Sequence, residues 1–598
     1  MNEFLRMKIN LYKNPVFILL LLIIVYSCSE ANEKPKTTPK ELISNKISHL
    51  YQTKSIEELQ ALTYEEAFDL YTEEELETLA TGHWTFKVNV PVVVSLMRSK
   101  KQERQPFWLQ ESGFVKTDME LRNEMTDYEV WQKKFDKGEI GLGINGLENY
   151  SYHYFVSVAP QNESEEVIIS DLYPETDFVG TMDDGAFVYH DWDELVLFDV
   201  PNALKGHQLL TTVRGRGTET QLVNAFRTTK FPSSEKADQI MLTWSDDPSS
   251  TMDIQWRTAK SIDTSAVTFR IKGTNDSLSL NASKYEMEDL RLANDRFVHR
   301  FTAKLKDLEA GTTYEYKIST QDHWPETQTF TTQSNNGAFS FIWYGDSHFS
   351  PIWGNLANQA FQKHPDAAFH AIAGDLVSDG LHRDQWDELF EYSKDVISQR
   401  PFMNVLGNHD NRMGLGAEMY RELFSYPPNG PKDIPNEHTY AFNYKNGLFL
   451  MIDATSKDEL QTQWIEQKLS ESKATWKFAM FHFPPYNWEE PYPNIQKEWI
   501  PLFDKYHVDM VFSGHIHYYM RSNPMKDGKV VPEAKDGTTY MISIGIPSGP
   551  KDIGEEPYAA VRYDQGPFYQ VLEIDGNTLN YTAKDSSENV IDELRLVK

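Results

Sequence analysis

The sequence predicts a multidomain fold in which β-sandwich domains lead into a C-terminal α/β domain. Three observations predict it. The chain has 598 residues, too many for one core, and its 40% hydrophobic and 13% aromatic content argues for well-filled cores. Alternating apolar and polar residues recur from Thr85 to about Thr332, the period of half-buried strands. Beyond Asn335 short, wholly apolar runs alternate with helix-like segments, an α/β pattern with largely buried strands.

At the N-terminus, Arg6, Lys8 and Lys13 precede the apolar run 16–25, which is too short to span a bilayer but suits a signal-peptide core. The lone cysteine, Cys28, rules out intramolecular disulfides and ends the stretch "VYSC", which resembles a bacterial lipobox. That resemblance implies a signal segment over 1–28, lipidation of Cys28, and an exported protein anchored to the cell envelope. The outer membrane, on its periplasmic or surface face, is the expected location, with membrane contact through the lipid only. An ordinary cleaved signal with a leftover thiol is the alternative. Residues 29–44 read as a polar tether.

The segment 45–230 reads as an accessory, mainly β domain with short N-terminal helices. Three capping boxes, Ser55–Glu58, Thr63–Glu66 and Thr72–Glu75, mark the starts of short acidic helices. Strand patterns follow in "TFKVNVPVVVSLM", "YSYHYFVSVAP" and "AFVYHDWDELVLFDV". Its aromatics are expected in the core, and a glycan-binding surface is the competing reading.

Residues 231–334 continue as sandwich-like strands. In "QIMLTWSDDPSSTMDIQWRT" the side chains of Met252, Ile254 and Trp256 share a face, and "DLEAGTTYEYKIST" and "TQTFTT" follow at sandwich spacing. This stretch resembles the fibronectin type III-like N-terminal domain of purple acid phosphatases, which implies a neighbouring phosphoesterase domain.

The segment 335–598 carries the chemistry. Each of its apolar runs ends in potential ligands: "GDSH" with Asp346 and His348, "GDLV" with Asp375, "GNHD" with Asn408, His409 and Asp410, "FHFPPY" with His482, and "GHIH" with His515 and His517. Ligands collect outside the carboxyl ends of strands in α/β sheets. Oxygen and imidazole donors without a thiolate favour iron, manganese or zinc, and their number suits two ions roughly 3.5–4 Å apart. The formal net charge of −31 argues against nucleic-acid binding, because such a surface repels a polyanion.

Taken in order, "GDSH…GDLV…GNHD…HFPPY…GHIH" resembles the calcineurin-like metallophosphoesterase superfamily. The resemblance implies a four-layer αββα sandwich and two divalent ions. Asp346, His348 and His517 would hold the first, Asp375 would bridge, and Asn408, His482 and His515 would hold the second. His409 would stand over the leaving group. The sequence departs from purple acid phosphatases in having His348 and in carrying Ser378 where they place a tyrosine ligand, so no charge-transfer colour is expected. The implied activity is hydrolysis of a small phosphate monoester, phosphorylated glycans included, by a hydroxide bridging the ions. A phosphodiesterase of the same fold is the close alternative, and a surface glycan-binding lipoprotein the alternative of another class.

Other polar residues divide more evenly. His370, inside "AAFHAIA", reads as a core residue, and Asp453 as structural. His382 and Arg383 are expected either at the substrate phosphate or at a helix start. Asp410 is expected to orient its neighbour His409 for catalysis, with a plain turn as the other reading. Arg521 reads as an ordinary ion pair.

Overall fold

The structure, a computed structural model, describes residues 37–598 apart from 151, 175–176, 191–194, 321–322, 325–327, 336, 413 and 551–552. The signal segment, Cys28 and most of the expected tether lie outside the described residues. The end of that tether is helical. Helix Pro39–Thr53 starts at a Thr38–Glu41 capping box and buries Leu42, Ile43, Ile47 and Leu50. Reciprocal side-chain and backbone bonds outcompete an extended tether there. The three boxes read from the sequence each open a helix, at Ile56–Gln60, Tyr64–Phe68 and Glu73–Thr81.

A six-stranded antiparallel sheet follows, in the order Val115–Arg122, Asp127–Phe135, Val92–Ser99, Phe155–Pro160, Gln208–Thr211, Phe178–Thr181, beside a three-stranded sheet centred on Trp84–Val88. Of the run "AFVYHDWDELVLFDV", expected as strand, the described residues, which exclude 191–194, instead make isolated bridges such as Phe187 to Val196 and Tyr189 to Thr212. Its apolar side chains still enter the core: Val188, Leu195 and Leu197 pack with Tyr128 and Phe155.

Two four-stranded sheets form the next sandwich, one in the order Asp238–Thr243, Met252–Ala259, Phe297–Leu305, Ser283–Glu288. Met252, Ile254 and Trp256 fill its core, with Trp256 stacked on Phe301. The other face of the same strand is buried as well. Arg257 donates to Asp387 at 2.7 Å and Asp253 accepts from Ser425 at 2.6 Å, both partners lying in the C-terminal domain. Trp244 inserts among Phe369, Phe442 and Tyr444, so the two cores are continuous.

The C-terminal domain stacks two sheets between helices. A five-stranded sheet runs His370–Ile372, Phe339–Tyr344, Phe568–Asp575, Thr578–Asp585, Val590–Val597. A seven-stranded sheet runs Tyr440–Tyr444, Gly447–Met451, Trp476–Met480, Met510–Ser513, Thr539–Ile542, Tyr519–Ser522, Ala559–Tyr563. Phe341 of the first meets Phe449, Phe478 and Phe512 of the second. The alternate residues Leu448, Leu450, Ala479 and Phe481 face outward onto helix Glu459–Glu471 and the helical turns that end at Tyr506. Helices Pro351–Lys363 and Arg383–Ile397 cover the other side. Strands buried on both faces explain the unbroken apolar runs. The run "PFMNVL" pairs only by isolated bridges, yet Phe402 and Val405 still align beside His370 and Ala373.

Candidate metal centre

The central strands of both sheets release the chain on the same edge, and there the polar clusters converge. Asp346 follows strand Phe339–Tyr344 and is fully buried. Its Oδ2 lies 3.1 Å from His517 Nε2 and 3.8 Å from His348 Nε2. Its Oδ1 accepts from the His515 backbone at 2.8 Å. Asp375 Oδ2 lies 3.2 Å from His482 Nε2 and 3.8 Å from His348 Nε2, while Asn408 Oδ1 meets His482 Nε2 at 3.0 Å. Donor atoms form three groups among the described residues, Asp346–His348–His517, Asp375–His482–His515 and, sharing members with both, His348–Asp375–His409, each within 4.8 Å.

Backbone shape makes this convergence possible. His348, Asp375 and His515 all have positive φ, at 42°, 53° and 69°. Non-glycine residues held there cost of order 1–3 kcal/mol each and persist only where the surroundings enforce them. Two glycines give the carboxylates room: a Cβ at Gly407 would collide with Asp375 Oδ1, and one at Gly514 with Asp346 Oδ1.

The donor set fits a pair of cations. Edges of about 3–3.5 Å are what bonds of ~2.1 Å to a common ion produce. Asn408 Nδ2 is buried without a hydrogen-bond partner, while its Oδ1 points into the cluster. Charges agree with this. Burial opposes the charge on Asp375, but His482 and His409 hold its carboxyl well below the usual range. Burial likewise opposes the charge on His482, yet Asp375 and Asp346 hold its imidazolium up to about 9. A cation entering the site would take the place of that proton. His482 Nδ1 donates to the Ala373 carbonyl at 2.8 Å, which aims Nε2 at the cluster.

His409 stands beside this set. Its backbone donates to Asp375 Oδ1 at 2.9 Å and its Nδ1 donates to the Ser378 carbonyl at 2.9 Å. With Nδ1 protonated, proton exchange with a substrate falls to Nε2. Asp410, expected to orient that imidazole, does something else. It accepts from the backbones of Leu376, Val377 and Gly407, tying the loop of Asp375 to that of Asn408. Burial, and then the charge of Asp375, push its carboxyl up to about 8.

Arg383, expected at the substrate, is only 1% exposed and binds Asp295, so its charge is spent on the sandwich. His382 faces a cleft beside the site and lies 3.2 Å from Asp379. His370 is buried against the Tyr344 hydroxyl, Asp453 accepts from His438, and Arg521 pairs with Asp592. Sequence reasoning missed the work of Ser378. Its hydroxyl lies 3.1 Å from His348 Nδ1 while its carbonyl holds His409, so the residue at the tyrosine position positions two imidazoles. It also missed Glu490, 3.4 Å from His515 Nε2.

Residues 339–519 match the calcineurin-like phosphoesterase family. The matched span is the part of the α/β domain that carries these ligand clusters. Residues 237–332 match the N-terminal domain of purple acid phosphatases. An uncharacterized protein of Mycobacterium tuberculosis is 27% identical over 38% of this chain and 51% of its own length. Purple acid phosphatase 18 of Arabidopsis thaliana is 28% identical over 28% of this chain and 41% of its own. The chain thus spans about half the length of these relatives. A purple acid phosphatase from yellow lupin seeds shares the fold with a TM-score of 0.52 at 15% identity, over 74% of this chain and 92% of that one.

Proposed function

We propose that the protein is a dinuclear phosphohydrolase acting on phosphate monoesters, exported and held to the cell envelope by a lipid on Cys28. One observation carries the catalytic part: two outer groups of three possible ligands, with His348 lying 3.8 Å from both carboxylates and completing a third group with Asp375 and His409. Asp346, His348 and His517 would hold one ion and Asn408, His482 and His515 the other, with Asp375 between. When bound, divalent ions supply Lewis acidity towards the phosphoryl oxygens and activate water. Asp375 and Asp346 keep the cations in place, and the buried setting strengthens that attraction. His409, held by Ser378 and Asp375, delivers a proton from Nε2 to the departing oxygen. No cysteine lies among the donor groups of the described residues, and the nearby Ser378 hydroxyl is turned to His348 Nδ1, so a covalent phospho-enzyme is not expected.

The experiment is a panel of mono- and diesters on protein stripped of metal and reconstituted separately with manganese, zinc and iron. Monoester turnover that disappears with the chelator and returns with metal supports the reading. Turnover confined to diesters overturns the monoester part, and turnover that ignores the chelator overturns the metal part. Globomycin-sensitive processing and labelling by a fatty acid analogue, both lost in Cys28→Ala, test the anchor.

A further inference from the structure

A cleft of about 610 Å³ opens beside His409, and three segments of the chain wall it. The catalytic domain contributes Ser378 and His409 at the inner end, the sandwich contributes Tyr285 and Arg291, and the accessory domain contributes Gln221 and Asn224. His409 also lines the pocket of Asp375, His515 and His517, so it stands where the two spaces meet. A phosphoryl group on the metal ligands, with its leaving oxygen at His409, would project the rest of the ester into this cleft. That volume is on the order of 20 waters at ~30 Å³ each and falls within the usual range of ligand pockets.

The walls define the chemistry. Three of their four arginines are held by groups of the protein, and the fourth, Arg421, stands near the lining carboxylates Glu418 and Glu422. Arg227 binds Asp289 and Asp384, and Arg412 pairs with Asp379 at 2.7 Å. Arg291 donates to the carbonyls of Gln221 and Glu219. Arginines engaged in this way, beside the lining carboxylates Glu288, Glu418 and Glu422, offer little to a second anionic group. The side-chain amides of Asn149, Gln221 and Asn224 supply donors and acceptors together, which suits hydroxyl groups. Tyr285, 46% exposed, adds a flat apolar face with a polar tip. The walls are also fixed in advance. The Arg227 backbone donates to Arg291, and Asp289 accepts from the Arg383 backbone at 3.1 Å. A cleft so tied loses little entropy on binding.

We propose that this cleft holds the leaving group of the substrate, and that the leaving group is an uncharged, polyhydroxylated unit of about disaccharide size. The substrate is then a phosphorylated glycan, and the accessory domain contributes specificity to the catalytic site. The inference rests on the phosphohydrolase reading above.

The test compares methyl phosphate, a hexose 6-phosphate and 6-phosphomaltose on the manganese-loaded full chain. We expect kcat/KM to climb at least about tenfold along the series, because contacts remote from the reacting bond are spent on the transition state. Tyr285→Ala and Asn224→Asp should each cut the ratio of disaccharide to methyl ester several-fold. A flat series, or a ratio that both variants leave alone, overturns the proposal. If no ester is turned over, the phosphohydrolase reading fails by itself. Calorimetry with a maltose phosphonate then decides the cleft: weaker binding in Tyr285→Ala sustains it, and equal binding in the two proteins overturns it.

Discussion

Asp375 stands at the middle of the site, touching His482 and His348 through Oδ2 and the His409 backbone through Oδ1. Asp375→Asn removes the shared charge, so most bound metal should be lost while the fold remains. His370→Ala should do the reverse, costing about 2–4 kcal/mol of stability with metal per folded chain unchanged. Metal analysis beside urea unfolding separates the two. His409→Ala should retain metal. It should lose roughly 10²–10⁴-fold on alkyl phosphates, whose alkoxide needs a proton, and much less on nitrophenyl phosphate. An equal loss on both esters, or rescue by added metal, would make His409 a ligand. Ser378 holds His348 rather than supplying a phenolate, so ferric loading should give no tyrosinate charge-transfer band. A visible spectrum checks this. Ligand types were legible in the sequence because each follows an apolar run. The role of Arg383 was not, because Asp295 lies 88 positions away, in the connection between strands Ser283–Glu288 and Phe297–Leu305.

At the scale of the element, the loops after the strands matter more than the strands themselves. Glycine at position 407 lets the chain turn against the Asp375 carboxylate. Gly407→Ala should therefore displace that carboxylate, weakening metal retention by at least about tenfold with little change in circular dichroism. Equilibrium dialysis against a chelator gives the answer, and an unchanged affinity would mean that the loop yields. Capping boxes were readable because their partners are three residues apart, and Thr72–Glu75 closes in both directions. The run "AFVYHDWDELVLFDV" misled because alternation reports which side chains are buried, not whether the backbone finds a partner strand.

Across the whole molecule, buried neutral histidines set an acid limit that is independent of the metal centre. His83 and His153 stack in the accessory domain, and burial, reinforced by Arg216, holds both well below the ordinary histidine range. A folded-state value below the unfolded one means that the unfolded chain takes up protons first. The contribution of these two histidines should be full above pH ~6.5 and fall below it, by at most ~1.4 kcal/mol per pH unit for each. Urea midpoints of metal-free protein between pH 7.5 and 5.5 measure the slope, and His153→Gln should flatten it. A slope that the variant leaves unchanged would assign the acid limit to other groups.

Strand Met252–Ala259 has no solvent face along most of its length: one side is sandwich core and the other carries Arg257 and Asp253 to the catalytic domain. A border drawn at residue 335 therefore cuts through a shared interior. Freed from its neighbour, the catalytic domain would leave Asp387 without Arg257, and the hydrophobic space around Phe369 would lose Trp244. Any genetic rearrangement that moved the phosphoesterase alone would carry this wound with it. The two domains are accordingly expected to be inherited, and to unfold, as one piece.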